Sequence, residues 1–251
     1  MTSARRTSTQ LSWLLAALLA PAGASAQLGR ALDSPTASAG VAAAPSGWAL
    51  DLSAQTSLPL SIGLEAQLTT PPGFFAAVAV GHTPNAYLGM LTGILDGAGA
   101  YGDSLRPMIG ETIANGAWNV RVGVGWRVVE GLELSVGYTY LGANTTLSRE
   151  AIEAATGQRM RYRGLREAPF ALELHALHAR VGYRFVIEEH FVLAVALGWT
   201  HGVGASARLD VPAEVRAIDG NPASTIEDAV AEGFTQYGFT PELLLSAGYR
   251  F

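Results

Sequence analysis

A hydroxyl, an imidazole and a carboxylate, the set used by an acyl-transfer hydrolase, occur here as Ser135, His178 and either Asp51 or Glu65. No nucleophile motif surrounds Ser135, so the alternative use of the three is an internal polar network. His175 and His178 have the spacing of metal ligands on a helix. On an extended segment they point to opposite sides and share no ion. Gly123-Val124-Gly125 lacks the following helix that a phosphate loop needs. There is no cysteine, hence no thiol nucleophile, disulfide, Cys-based metal site or lipoprotein acceptor. Neither a cofactor nor a metal is expected. What remains is charge: Asp51, Glu65, Glu133, Glu173 and Glu242 against Arg121, Arg127, Arg180, Arg184 and Arg250. Which elements hold these residues decides what they do.

The chain starts with the marks of an export signal. Arg5 and Arg6 precede a short apolar run, Leu11–Leu19, and Ala24-Ser25-Ala26 is a small-x-small cleavage site. The run is well under the roughly 18 residues that would span a bilayer. Residues 1–26 therefore read as a cleaved signal peptide, and 27–47, rich in Ala, Ser, Pro and Gly, as a flexible lead-in. Net charge is −5, which excludes the concentrated basic face that nucleic acid requires. Apolar residues make up 49 % of the chain and charged ones 15 %, yet no later segment forms the ~20-residue apolar run of a membrane helix.

From Trp48 onward the apolar period is two, the period of strands. The segments are 48–55, 61–69, 74–82, 118–128, 132–140, 172–187, 191–200 and 242–251. In 118–128 the even residues are Trp118, Val120, Val122, Val124, Trp126 and Val128, and the odd ones are polar or Gly. The segment 74–82 is apolar on both faces and alternates least clearly. High apolar content spread over alternate residues is the signature of a barrel whose strands meet lipid on one side only.

Three features separate such a barrel from a soluble sandwich. Connectors alternate in length: 69–73, 129–131 and 188–190 are short, and three of the four on the other side (56–60, 83–117, 141–171, 201–241) are long. A three-residue turn at Val129-Glu130-Gly131 pairs Arg127 with Glu133, Trp126 with Leu134, Val124 with Val136 and Val122 with Tyr138. Polar meets polar and apolar meets apolar, whereas a one-residue slip would reverse every face. Finally, the aromatic residues fall at strand ends. Trp48, Trp126, Tyr183, Phe185, Phe191, Tyr249 and Phe251 lie near the short turns, and Trp118, Tyr138, Tyr140 and Trp199 near the long loops. Rings gather in this way at the two membrane–water interfaces.

The chain thus resembles small outer-membrane barrels of the OmpA/OmpX transmembrane type. Its last strand, Leu243-Leu244-Leu245-Ser246-Ala247-Gly248-Tyr249-Arg250-Phe251, is similar to the C-terminal insertion signal of that class, with Tyr249 antepenultimate and Phe251 terminal. The resemblance implies biogenesis through periplasmic chaperones and the barrel-assembly machinery, and residence in the outer membrane of a Gram-negative-type envelope. The expected fold is all-β: a closed antiparallel up-and-down barrel over 48–251. Eight strands are expected, or ten if residues 87–95 belong to an inserted hairpin.

An eight-stranded lumen is just wide enough for side chains to fill. The five acidic and five Arg residues named above all read inward, a balanced set that can neutralise itself in a narrow interior. Two loop stretches read as helical: 148–157, with Ser148 as cap, and 87–95, apolar enough to bury a face at the barrel rim. Arg159, Arg161, Arg163 and Arg166 could contact lipopolysaccharide phosphates. They could equally neutralise the acidic loop that follows, with Asp210, Glu214, Asp219, Glu227, Asp228 and Glu232. The expected function is a non-enzymatic role in envelope structure or surface interaction through the long loops. The alternatives are a narrow channel for ions or small hydrophobic solutes, and a membrane-embedded lipid hydrolase.

Overall fold

The computed structural model describes residues 47–97, 106–114, 116–157, 159, 165–216, 222–237 and 239–251. The expected signal peptide, nearly all of the lead-in, and Arg161 and Arg163 lie outside the described residues. The strands are β1 (Ala49–Leu58), β2 (Ser61–Thr69), β3 (Phe74–Thr83), β4 (Ala117–Val129), β5 (Leu132–Ser148), β6 (Glu167–Ile187), β7 (Phe191–Leu209) and β8 (Phe239–Arg250). Each pairs antiparallel with the next and β8 closes on β1, giving an eight-stranded up-and-down barrel. Among the described residues, the 83–117 connector holds helices α1 (Asn85–Gly97) and α2 (Arg106–Ala114), and no inserted hairpin.

The register follows from face matching. Arg127 sits opposite Glu133, Trp126 opposite Leu134, Val124 opposite Val136 and Val122 opposite Tyr138. Gly131 takes the left-handed conformation, φ 80°, that this bulged turn requires. At the third short turn Glu188 and Glu189 hold positive φ of 51° and 66°, a conformation L side chains adopt at a cost. β3 resolves cleanly: Phe74, Val78 and Val80 face out, while Phe75, Ala79 and Thr83 face in and are buried.

The structure departs from expectation most in strand length. β5, β6 and β7 run 17, 21 and 19 residues, against 10, 9 and 10 for β1, β2 and β3. Much of what reads as loop sequence in 141–171 and 201–209 is strand, because Thr145, Thr146 and Ala205–Leu209 extend ladders already set below them. The barrel is therefore lopsided, with a three-strand wall rising above a short rim.

That wall carries helices on its inner side: α3 (Arg149–Thr156), α4 (Ala213–Arg216) and α5 (Pro222–Tyr237), besides α1 and α2. Leu141, Ala143 and Leu147 of β5, Phe170 and Leu172 of β6, and Leu209 of β7 form one buried apolar cluster. It includes Leu88 of α1, Met108 of α2, Ile152 of α3, and Ile226 and Val230 of α5. Such a core has the polarity of a water-soluble domain. A β-bulge makes it feasible. The β6–β7 register shifts between His175 and Ala176, which face Gly204 and Gly202 and leave Val203 as the extra residue. Below the bulge odd residues of β7 point outward (Leu197, Trp199, His201), and above it they point inward (Ala205, Ala207, Leu209).

Ser148 caps α3 as expected, its hydroxyl accepting from the Ala151 amide at 3.2 Å, and Gly157 ends the helix at φ 67°. The third helical position is Ala151, which cannot return the favour to the Ser148 amide. Glu111 of α2 does so instead, accepting from Ser148 N at 2.7 Å and from its hydroxyl.

Candidate functional site

The inward charges gather in two layers. Near the short turns, Arg250 donates to both oxygens of Asp51 at 2.6 and 2.8 Å. Arg184 donates to Glu133 at 3.0 Å, to Asp51 at 3.3 Å and to Gln67 at 2.6 Å, and lies 3.8 Å from Glu65. Arg127 reaches Glu133 at 2.7 Å. Nearer the loops, Glu242 accepts from Arg121 at 2.6 Å, from Arg180 at 2.7 Å, from Thr200 at 3.3 Å, and from Ser57. Arg121 also donates to Ser61 at 3.2 Å. In the orientation that satisfies its amide, Gln55 bridges Glu65 and Arg121 and so links the layers.

Glu173 departs from the expected inward set. It is exposed on the outer face, opposite Gly142. The parity of β6 runs unbroken from Leu177 through His175 to Glu173, so all three share the outer side. The lumen therefore carries Asp51, Glu65, Glu133 and Glu242 against five Arg, and the unmatched cation belongs to the layer where Arg121 and Arg180 share Glu242.

These ion pairs tie β1, β4, β5, β6 and β8 across the interior. Between them remains an internal cavity of about 60 Å³, lined among others by Glu65, Arg121, His178, Arg180 and Arg184, which is room for a few waters at most. Small inward residues let the long ones in: a Cβ on Gly198 would meet Arg180, and one on Gly125 would meet the Phe75 ring. The glycines thus accommodate an aromatic ring as well as arginines.

His178 faces inward and bonds Thr139 Oγ1 at 3.0 Å through Nδ1, and not Ser135, although both line the cavity. His175 faces outward and bonds the Tyr138 hydroxyl. The two histidines do not converge, and no cluster of metal-ligating side chains occurs among the described residues. Arg159 and Arg166 are exposed in the cap, whereas Arg149 pairs with Glu153 at 2.8 Å along α3.

The outer surface completes the picture. Leu50, Leu52, Leu64, Val78, Val80, Val122, Val124, Val136, Leu193 and Leu197 are all exposed. At the short-turn end Phe74 stacks on Trp126 and Tyr249 on His190, Tyr183 packs at a tilt against Phe185, and Phe191 and Phe251 lie edge-on to Tyr249. Trp48 is exposed at the same end. At the other end Trp118 packs on Tyr140, and His175 on Tyr138 and Tyr140; Trp199 and Phe239 are exposed at that level. Above these rings both faces of the wall invert. The exterior becomes Asn144, Thr146, Glu167, Glu173 and Arg208, while the interior changes from charge to Leu, Ala and Phe.

An apolar band between two aromatic girdles, around a charged interior, is stable only where hydrocarbon surrounds the band and water begins at the inversion. The fold and its surfaces define a transmembrane β-barrel of the outer-membrane class. No family model and none of the curated proteins matches the sequence. Among solved structures, the chain is similar to the N-terminal β-barrel domain of Pseudomonas aeruginosa OprF, with 9 % identity, 81 % of this chain and 96 % of that one covered, and a TM-score of 0.36. It is likewise similar to Acinetobacter baumannii CarO, with 11 % identity, coverage of 81 % and 97 %, and a TM-score of 0.39.

The helices α2, α4 and α5 and the Val203 bulge escape a reading of the sequence. α2 and α5 are only weakly amphipathic and depend on the wall for their burial. The flanking glycines, Gly202 and Gly204, are the one local signal for the bulge.

Proposed function

We propose that this barrel resides in the outer membrane after export by its cleaved signal, and serves envelope structure and surface interaction through its helical cap. Passage of solutes and catalysis are the less supported uses. The observation that carries this reading is the pairing of a cross-linked lumen with a cap that has an apolar core of its own. Arg184, Glu133, Arg121 and Glu242 cross-link the interior where a transport path would run, and Ser135 has no hydrogen bond to His178, the contact a hydrolase would need. Periplasmic chaperones and the barrel-assembly machinery, reading Tyr249 and Phe251, would act in biogenesis. Arg159, Arg161, Arg163 and Arg166 would meet lipopolysaccharide phosphates or the acidic residues of the neighbouring loop.

Two measurements test this together. Purified protein in planar bilayers is expected to give no stable conductance steps, and an epitope inserted after Gly157 is expected to bind antibody on intact cells. Sustained conductance by the unaltered chain would overturn the closed-lumen reading. Antibody binding only after permeabilisation would overturn the surface role.

A further inference from the structure

From the placement of α1 we infer that this helix is a membrane-surface anchor: its Met90–Ile94 edge rests in the interface of the bilayer that the barrel spans. The inference rests on the transmembrane reading and goes beyond it. On the barrel's short side, β3 ends at Thr83 and α1 begins two residues later, level with the upper aromatic girdle, where His82 faces Trp118 across the ladder. Leu88 and Leu91 turn into the cap and are buried. Tyr87 instead reaches over the rim, its hydroxyl 2.8 Å from Oγ1 of Thr56, a residue on the outward face of β1 between Ile62 and Leu245 of the lipid-facing belt. That bond fixes which side of α1 looks along the barrel wall toward the bilayer.

At about 100° per residue, Ile94 lies within roughly 20° of Tyr87, and Met90 within roughly 60° on the same side. Both are exposed, Met90 by 49 % and Ile94 by 38 %. Gly89 points the opposite way with nothing within 4 Å of a Cβ built there, and Asp96 pairs with Arg106 at 2.9 Å on the water side. The apolar arc of α1 is thus split: one half fills the cap, and the other continues the belt that begins at Ile62 and Thr56. Continuity with that belt selects lipid as its occupant. An amphipathic helix lying in the interface buries such an edge among headgroups and upper acyl chains.

The chain has no cysteine, so single labels are direct. M90C, I94C, G89C and the belt control L64C would each carry an environment-sensitive fluorophore. Each would be refolded into dioleoylphosphatidylcholine vesicles, with folding checked by heat-modifiable gel migration. The expected result is that M90C and I94C lose emission to a lipid with a nitroxide near the headgroup end of its chain. They should also be several-fold less quenched by iodide than G89C, while L64C responds to a deep nitroxide. Iodide quenching at M90C and I94C equal to that at G89C, with L64C still quenched by lipid, would overturn the anchor and leave the transmembrane barrel standing. Loss of lipid quenching at L64C in folded protein would overturn both. Protection of M90C and I94C that disappears on dilution of protein in lipid would assign the edge to a second copy, and would also overturn the anchor.

Discussion

Glu242→Gln removes the carboxylate that Arg121 and Arg180 share. The carboxylate accepts at 2.6 Å from Arg121 and 2.7 Å from Arg180, and its side chain is 1 % exposed. One such contact is worth about 4 kcal/mol at an effective dielectric near 20. Desolvation offsets much of that in the intact pair, but removing one partner leaves the other buried and unpaired, at about 3–5 kcal/mol. Glutamine keeps a hydrogen-bond acceptor, and Arg121 keeps Ser61, so the expected loss is near the lower end, about 3 kcal/mol. The counterpart Glu133→Gln should cost a comparable amount, because Arg184 retains Asp51 and Gln67 but Arg127 loses the carboxylate it bonds at 2.7 Å. Reversible urea unfolding in lipid vesicles, followed by tryptophan emission and gel mobility, reads each loss. With a slope of about 2 kcal/mol per molar, 3 kcal/mol moves the midpoint by about 1.5 M. The double variant E242Q/R180Q should recover part of the loss, since it removes one of the two cations that E242Q leaves without their carboxylate. A loss below about 1 kcal/mol for E242Q, with no coupling to R180Q, would mean that water already screens these charges and that the lumen is wet.

Glu111→Ala should strip the Ser148 amide of its acceptor and lower the stability of α3 by about 0.5–2 kcal/mol; hydrogen exchange at the first turn of α3 should quicken several-fold, and unchanged protection would refute the shared cap. Replacing Glu188-Glu189 by Asn-Gly should relieve two left-handed residues and stabilise the barrel by about 1–2 kcal/mol, read as a higher urea midpoint; no change would mean that the turn relaxes without cost. Deleting Val203 should close the bulge into a regular ladder and leave Leu209 inward and Arg208 outward, because Gly202 and Gly204 would then follow one another opposite Ala176 and His175. Its tryptic digest and heat-modifiable migration should then match those of the unaltered chain, and new cleavage confined to the cap would show that the bulge itself is needed to seat the helices.

The amino-acid order alone determines the transmembrane part, because a strand has two faces and a membrane reads them oppositely. Alternation from Leu50 to Asp51 or from Val124 to Gly125 states which residue meets lipid. The turn at Glu130-Gly131 sets the β4–β5 register, and rings at strand ends set the depth. The lumen set was equally legible, Glu173 included: it lies inside the expected strand 172–187 with the odd parity of the outward Leu177, and counting it with the inward charges broke that alternation. Above the girdle the local signals cease to decide. The outer faces of β5–β7 there are polar and the inner faces apolar, which by sequence looks like an ordinary loop between strands. Tertiary structure alone extends those strands, inserts Val203 to reverse the parity of β7, and assigns Glu111 to cap a helix thirty-odd residues away. It does so because the apolar residues of α1, α2, α3 and α5 find burial only against one another and the wall.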